Sequence, residues 1–342
     1  MGNRGPTLED VAREAGVSRA TVSRVVNGVR NVAPDIQEAV RAAVARTGYA
    51  PNQAARSLVT RRTGAVALVL SATGGSFTAR LFSDPFFGRV VDGVLPVLRE
   101  RAVQPVLLVA ESEPARLQLV EYLRRGGGDG AVVVPLDEDD PLPGMLASAG
   151  LPTALFGRPP QGVRCDWVDL DNTAGARLAA EHLWATGRRR PATIAAPASA
   201  PTARERLSGF TAALAARGVV DVPVERGRFT EESGRDAMAR LLDRHPDIDA
   251  VFAANDVMAR GAVRHLAERG LDVPGRVAVI GFDDAATARE VEPALTTVRQ
   301  PVEAMAAAAT GLLLDRLGAR DADTPETGSK VFEPVLVVRE SA

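Results

Sequence analysis

The sequence of 342 residues holds one cysteine, one lysine and three histidines. With Cys165 alone, no intrachain disulfide can form, and a reducing compartment, the cytoplasm, is expected. His182, His245 and His265 lie far apart, and His182 and His265 fall within helical stripes, where packing or surface roles are expected. No P-loop, metal-ligand cluster or nucleophile elbow occurs. The run Gly126-Gly127-Gly128 precedes a strand-like segment, whereas a dinucleotide fingerprint follows a strand and opens a helix. An enzyme is therefore not expected, nor are catalytic residues, metal ligands or a cofactor. The N-terminus lacks the apolar stretch of a signal peptide, and no run approaches bilayer length, so no membrane association is expected. Because Lys330 is the only lysine, nearly every cation is arginine, which says little about function.

What is present is asymmetric charge. The net charge is −2, yet residues 1–62 carry ten arginines against Glu9, Asp10, Glu14, Asp35 and Glu38, giving +5. The rest of the chain carries −7. A basic head on an acidic body is the distribution expected when only the head meets a polyanion. In that head, Leu8, Val11, Ala12 and Ala15 form a helical stripe behind Thr7, which with Asp10 fits a capping box. Gly16 can end the helix, and Ser18 can cap a second one held down by Val22, Val25 and Val26. A third helix is predicted from Pro34, with Ile36, Val40 and Val44 on one face and Gly48 at its end. Two short helices joined by a glycine turn have the shape of a helix-turn-helix, whose second helix presents N-terminal residues to base edges. The plainer alternative is a small helical bundle with surface arginines.

The stretch "TLEDVAREAGVSRATVSRVVNG…TGYAPNQAARSL", Thr7 to Leu58, resembles the head of the lactose-repressor (LacI/GalR) family of bacterial transcription regulators. The resemblance implies that Arg19 and Ala20 set sequence readout, Arg19 by pairing with guanine and Ala20 by apolar contact with a thymine methyl. Arg24 stands at a near-constant family position and is expected to read a base, while Thr7, Ser18, Thr21, Ser23 and Asn27 position the backbone. "PNQAARSLVTRRTG", Pro51 to Gly64, resembles the family's hinge helix. There Leu58 is expected to wedge into a minor-groove step, with Asn52, Ala55 and Arg56 alongside. Without the family, Leu58 reads as an ordinary buried leucine. Ala33 departs from the usual Ser or Thr, so the third helix is expected to lack a side-chain cap.

From Ala65 onward, apolar runs such as "AVALVL", "PVLLVA", "AVVV", "TALF", "ATIAA", "AVFAA" and "VAVIGF" alternate with helix-length segments. That pattern predicts an α/β body of parallel, doubly wound sheets, and its length predicts two lobes. Ligands of such folds bind beyond strand ends, where Asp169, Asp171, Asn172, Asp256 and Asp284 stand either as binding groups or as helix caps. The body resembles the family's two-lobed, periplasmic-binding-protein-like effector domain. That resemblance implies a site for a small, sugar-like effector built from Asp84, Phe86, Phe87, Arg158, Arg206, Phe229, Asn255 and Asp283. Arg206, Asn255 and Asp283 are then polyol contacts, with Phe229 and the Phe86-Phe87 pair as apolar walls. Two departures are a long segment before the Phe pair and Gly157 where many relatives have Asp.

The expected division is a helix-turn-helix domain at 1–50, a hinge at 51–63 and an effector domain at 64–342. Within the last, a first lobe of about 64–163 plus 295–322 and a second of about 164–294 plus 323–342 are predicted. No heptad extension follows the last strand, so a homodimer on a pseudo-palindromic operator is expected. The reading is a repressor of sugar uptake or catabolism genes, released from its operator by the effector. The alternatives are a regulator responding to a nucleoside or purine or acting with a co-repressor, and a sugar-binding protein without a DNA role.

Overall fold

The computed structural model describes residues 6–26, 32–49, 62–72, 84–319 and 326–342. They fall into two compact units, Met1–Gly64 and Ala65–Ala342, each described by itself.

The first unit contains α1 (Leu8–Ala15), α2 (Arg19–Val26) and α3 (Pro34–Thr47). The Thr7 backbone N–H donates to Asp10 Oδ2 at 2.9 Å, and the Asp10 N–H donates back to Thr7 Oγ1 at 3.4 Å. This reciprocal box satisfies two of the donors that a helix start leaves open. The Thr7 hydroxyl also donates to Asp10 Oδ2 at 2.8 Å, and with the Thr7 N–H it holds the Asp10 carboxyl below its ordinary value. Gly16 ends α1 at φ 65°, a left-handed conformation that costs glycine little. Ser18 Oγ accepts from the Thr21 N–H at 3.1 Å and so caps α2. At α3 the Ala33 position makes no side-chain cap bond, and Pro34 occupies the first turn instead. Val11, Val22, Val40 and Ala43 are fully buried between the helices, with Val25, Val26, Ile36 and Val44 packed around them.

The second unit has two six-stranded sheets. The first is ordered β11-β5-β4-β3-β1-β2, from β1 (Ala65–Ser71), β2 (Gln104–Ala110), β3 (Ala131–Pro135), β4 (Thr153–Phe156), β5 (Asp166–Leu170) and β11 (Ser329–Phe332). All its pairings are parallel. The second is ordered β12-β10-β9-β8-β6-β7, from β6 (Pro191–Ala195), β7 (Val224–Arg226), β8 (Ala250–Ala253), β9 (Ala278–Asp283), β10 (Thr296–Arg299) and β12 (Val335–Val337). Only β12 runs antiparallel to its neighbour. The helices are α4 (Pro85–Glu100), α5 (Glu113–Tyr122), α6 (Leu142–Ser148), α7 (Asn172–Ala185), α8 (Pro201–Ala215), α9 (Glu231–Arg244), α10 (Asp256–Glu268), α11 (Thr287–Glu290) and α12 (Val302–Gly318). Among the described residues no helix is long and apolar enough to cross a membrane.

The lobe boundaries differ from those predicted. β5 and β11 pair in the first sheet and β10 in the second, so the chain crosses between lobes after β5, after β10 and after β11. The reason is a buried carboxylate: Asp166 on β5 receives Arg316 of α12 at 2.7 Å and the Gly328 N–H at 2.7 Å. These bonds tie β5, α12 and the β11 approach into one lobe, and the partners lie 150 and 162 positions apart. No local pattern could reveal them.

Candidate functional site

In the helical unit, Ser18, Arg19, Ala20 and Arg24 are exposed on α2 or at its start, while Thr21 and Ser23 are half-buried. Arg19 Nε lies 3.1 Å from Glu9 Oε1 of α1. Thr7 and Ser18 have their hydroxyls engaged in capping. The expected contacts Asn27, Asn52, Ala55, Arg56 and Leu58 lie outside the described residues.

In the two-lobed unit a cavity of about 650 Å³ opens beyond the strand ends, and all eight residues expected there line it. The first lobe supplies an apolar wall. Phe86 stands edge-on to Phe87 at 5.3 Å and to Phe156 at 5.5 Å between ring centroids. Asp84 caps α4 by accepting the Phe86 N–H at 3.1 Å, which fixes where that helix presents its phenylalanines. Phe87 is buried in the core beneath, so Phe86 is the more accessible of the two. Arg158, with 56% of its side chain exposed, donates to Asp169 Oδ2 at 2.8 Å.

The second lobe supplies a polar floor centred on Arg206, whose side chain is 5% exposed. Its Nε donates to Asn172 Oδ1 at 2.9 Å, and its Nη1 to the Ala254 carbonyl at 2.6 Å and to Asp283 Oδ1 at 3.3 Å. Its Nη2 donates to Gln300 Oε1 at 2.9 Å, and the guanidinium lies 3.6 Å from the Phe282 ring centroid. Burial lowers the Arg206 value and pushes the Asp283 carboxyl up to about 6. Asn255 is 2% exposed, and its Oδ1 caps α10 through the Met258 N–H at 2.9 Å. Its amide group is what remains for a ligand. Phe229 at φ 60° and Asp283 at φ 107° are non-glycine residues in positive-φ conformations, each costing roughly 1–3 kcal/mol. Such strain is characteristic of binding sites. Gly157 sits at φ 119°, which strains any side chain there.

Of the undecided strand-end residues, Asp171 caps α7. Asp256 is buried against Thr297 and the Ala285 N–H, and Asp284 is held by Arg299 and Arg339. Asn172 and Asp169 belong to the cavity network. Glu205 and Gln300 were not singled out by sequence reasoning. The available signals were the position of Glu205 beside Arg206 and of Gln300 directly after β10.

Residues 7–52 match the model for bacterial regulatory proteins of the lacI family, and residues 180–342 match that for a periplasmic binding protein-like domain. The HTH-type transcriptional regulator CelR of Thermobifida fusca is 46% identical over 343 residues, covering 99% of this chain and 98% of that protein. The chain belongs to the LacI family. GalR of Escherichia coli (strain K12) is 37% identical, covering 98% of the chain and 95% of its own length. Among solved structures, the CelR–cellobiose complex superimposes with a TM-score of 0.76 at 44% identity, covering 98% of this chain and 100% of that one. The lac repressor dimer bound to operator and the anti-inducer ONPF gives 0.84 at 26% identity, covering 99% of both chains. This LacI-family chain is thus a DNA-binding transcriptional regulator; its relatives are regulators and not enzymes.

Proposed function

We propose that this regulator is a homodimeric repressor released from a pseudo-palindromic operator by a cellobiose-like disaccharide. The observation that carries the reading is the cavity of about 650 Å³, which sets the Arg206–Asp283 floor against the Phe86 wall. Carboxylates and amides accept and donate to sugar hydroxyls, aromatic faces pack on the C–H side of a ring, and the volume lies within the usual range for ligand pockets. The CelR relative, bound to cellobiose, shares 44% of its sequence with this chain.

A second copy has an apolar face to cover: Leu107 on the edge strand β2 and Leu117 on α5 are 54% and 55% exposed. Edge strands with exposed apolar side chains are commonly paired or covered. On the DNA, Arg19 reads a guanine, Ala20 contacts a thymine methyl and Arg24 reads a further base. A conformer that binds operator well and effector poorly links the two events, so operator must weaken effector binding by the same factor.

The test is a thermal-shift panel of sugars and nucleosides on the purified full chain, followed by titration of the hit against operator-bound protein. A ligand at about a hundred times its Kd adds about 2.7 kcal/mol of stability. Cellobiose is expected to raise the melting temperature and release the operator. A shift with a nucleoside or purine and none with any sugar overturns the effector assignment. An operator whose affinity no ligand alters overturns the allosteric half.

A further inference from the structure

The cavity wall is strongly one-signed. Among the described residues, eight carboxylates line it against three arginines. Each of these arginines already faces an acid: Arg158 holds Asp169, Arg206 holds Asp283, and Arg204 lies 2.6 Å from Glu138 at the rim. Two more arginines reach in from behind the lining, Arg89 to the Asp283 carbonyl at 2.8 Å and Arg116 to Asp140 at 3.0 Å. Even with both included, negative groups outnumber positive ones.

Glu205 forms no ion pair among the described residues, and Arg158 and Arg206 act on it only through space. One of its oxygens accepts from Asn172 Nδ2 at 3.1 Å. It stands on α8 of the second lobe, while Asp169 on β5 faces it from the first. Burial pushes both carboxyls up, and the Asp169 charge adds to the rise at Glu205. A hydroxyl donor placed between them satisfies both lobes at once, whereas an anion meets the field of the whole wall.

We infer that the cavity selects its effector by charge, taking an uncharged, hydroxyl-rich ligand and rejecting anionic sugars and phosphorylated compounds, with Glu205 enforcing the exclusion. The inference rests on the effector reading proposed above and narrows it to a chemical class.

The experiment compares two open-chain derivatives of cellobiose that differ in charge: cellobiitol, a neutral alcohol, and cellobionate, its carboxylate counterpart. Cellobiose itself is the reference, and binding to the full chain is followed by calorimetry. At low salt, cellobionate is expected to bind about a hundredfold more weakly than cellobiitol, as like charges at an interface are strongly disfavoured. Raising the ionic strength to about 0.5 M should shrink that ratio through screening. Glu205→Gln should weaken cellobiose by about threefold to tenfold and reduce the cellobionate penalty by about tenfold. If Glu205→Gln does not fold, the wild-type ratio and its salt dependence still decide the charge rule, and Asp139→Asn at the rim gives a milder version of the same shift. Equal binding of cellobiitol and cellobionate, with cellobiose bound, overturns the inference and leaves the effector reading standing. Binding of a sugar phosphate or nucleotide in place of cellobiose overturns both.

Discussion

The second lobe brings to the cavity buried polar groups that bond one another, whereas the first brings three phenylalanines, an exposed arginine and an acidic rim. Arg206 is held by Asn172, Asp283, Gln300 and the Ala254 carbonyl before any ligand arrives. Arg158 bonds Asp169, lies 5.7 Å from the Trp167 ring centroid and keeps 56% of its side chain in solvent. A preorganised floor loses little side-chain entropy on binding, while an exposed arginine has more freedom to lose. On the effector reading proposed above, the two halves divide recognition from adjustment.

Removing the floor's centre should have the largest effect. Arg206→Ala leaves Asp283, Asn172 and Gln300 without their shared donor, and breaking a buried pair costs about 3–5 kcal/mol. Loss of effector response together with a lower melting temperature is expected, while Arg158→Ala, which frees the buried Asp169 from its ion pair, should weaken effector binding with a smaller drop in melting temperature. Equal destabilisation by the two, measured by thermal and urea melts, would erase the contrast between lobes.

An intermediate effect comes from pH. Burial raises Asp283 from 3.8 to about 6, so the folded state binds this proton more tightly than the unfolded chain does. Its contribution to stability therefore grows as pH falls from about 6 towards about 4 and is lost above about 6. The ionised carboxylate accepts more strongly from sugar hydroxyls, so effector affinity should fall by up to about tenfold between pH 7 and 5. Asp283→Asn should flatten that profile; a slope that survives the change places the titration elsewhere.

The smallest effect lies at the rim. Arg204 and Glu138 are 43% and 54% exposed in their side chains, so their coupling should be about 0–1 kcal/mol. A double-mutant cycle with Arg204→Gln and Glu138→Gln, read on effector affinity, measures it. A coupling as large as that of the floor would show that the rim also carries recognition.

The helical unit was legible almost residue by residue, because its signals are local: Thr7 with Asp10, Gly16, Pro34 and Gly48 each act within one turn. The seven apolar runs identified from the sequence correspond to β1–β4, β6, β8 and β9, all but the edge strand β2 rich in buried aliphatic residues. The other strands are short, or carry polar groups whose compensation lies far along the chain. β5 holds Asp166 and Asp169 in its interior because Arg316 and Arg158 neutralise them. Placing β5 in the wrong lobe followed from that long-range pairing. All eight effector candidates line one cavity, yet Glu205 escaped notice because its importance depends on which charges surround it and which do not.

Arg89 has a geometric consequence for how the lobes can turn. From α4 it bonds the Asp283 and Gln300 carbonyls at 2.8 and 2.9 Å, and it also holds Glu303 of α12. Beside it, Gly93 lets α4 approach α12 so closely that an added Cβ would lie 2.3 Å from the Glu303 carbonyl oxygen. The two helices consequently travel as one piece, and points that keep fixed separations across a rotation lie near its axis. If the Arg89 bonds persist, that axis passes beside the floor, where displacement is smallest. Displacement grows with distance towards Glu138 and Ser199, whose backbone bond of 2.9 Å bridges the rim. On the effector reading proposed above, the floor would identify the ligand while standing nearly still, and the rim would convert its arrival into amplitude.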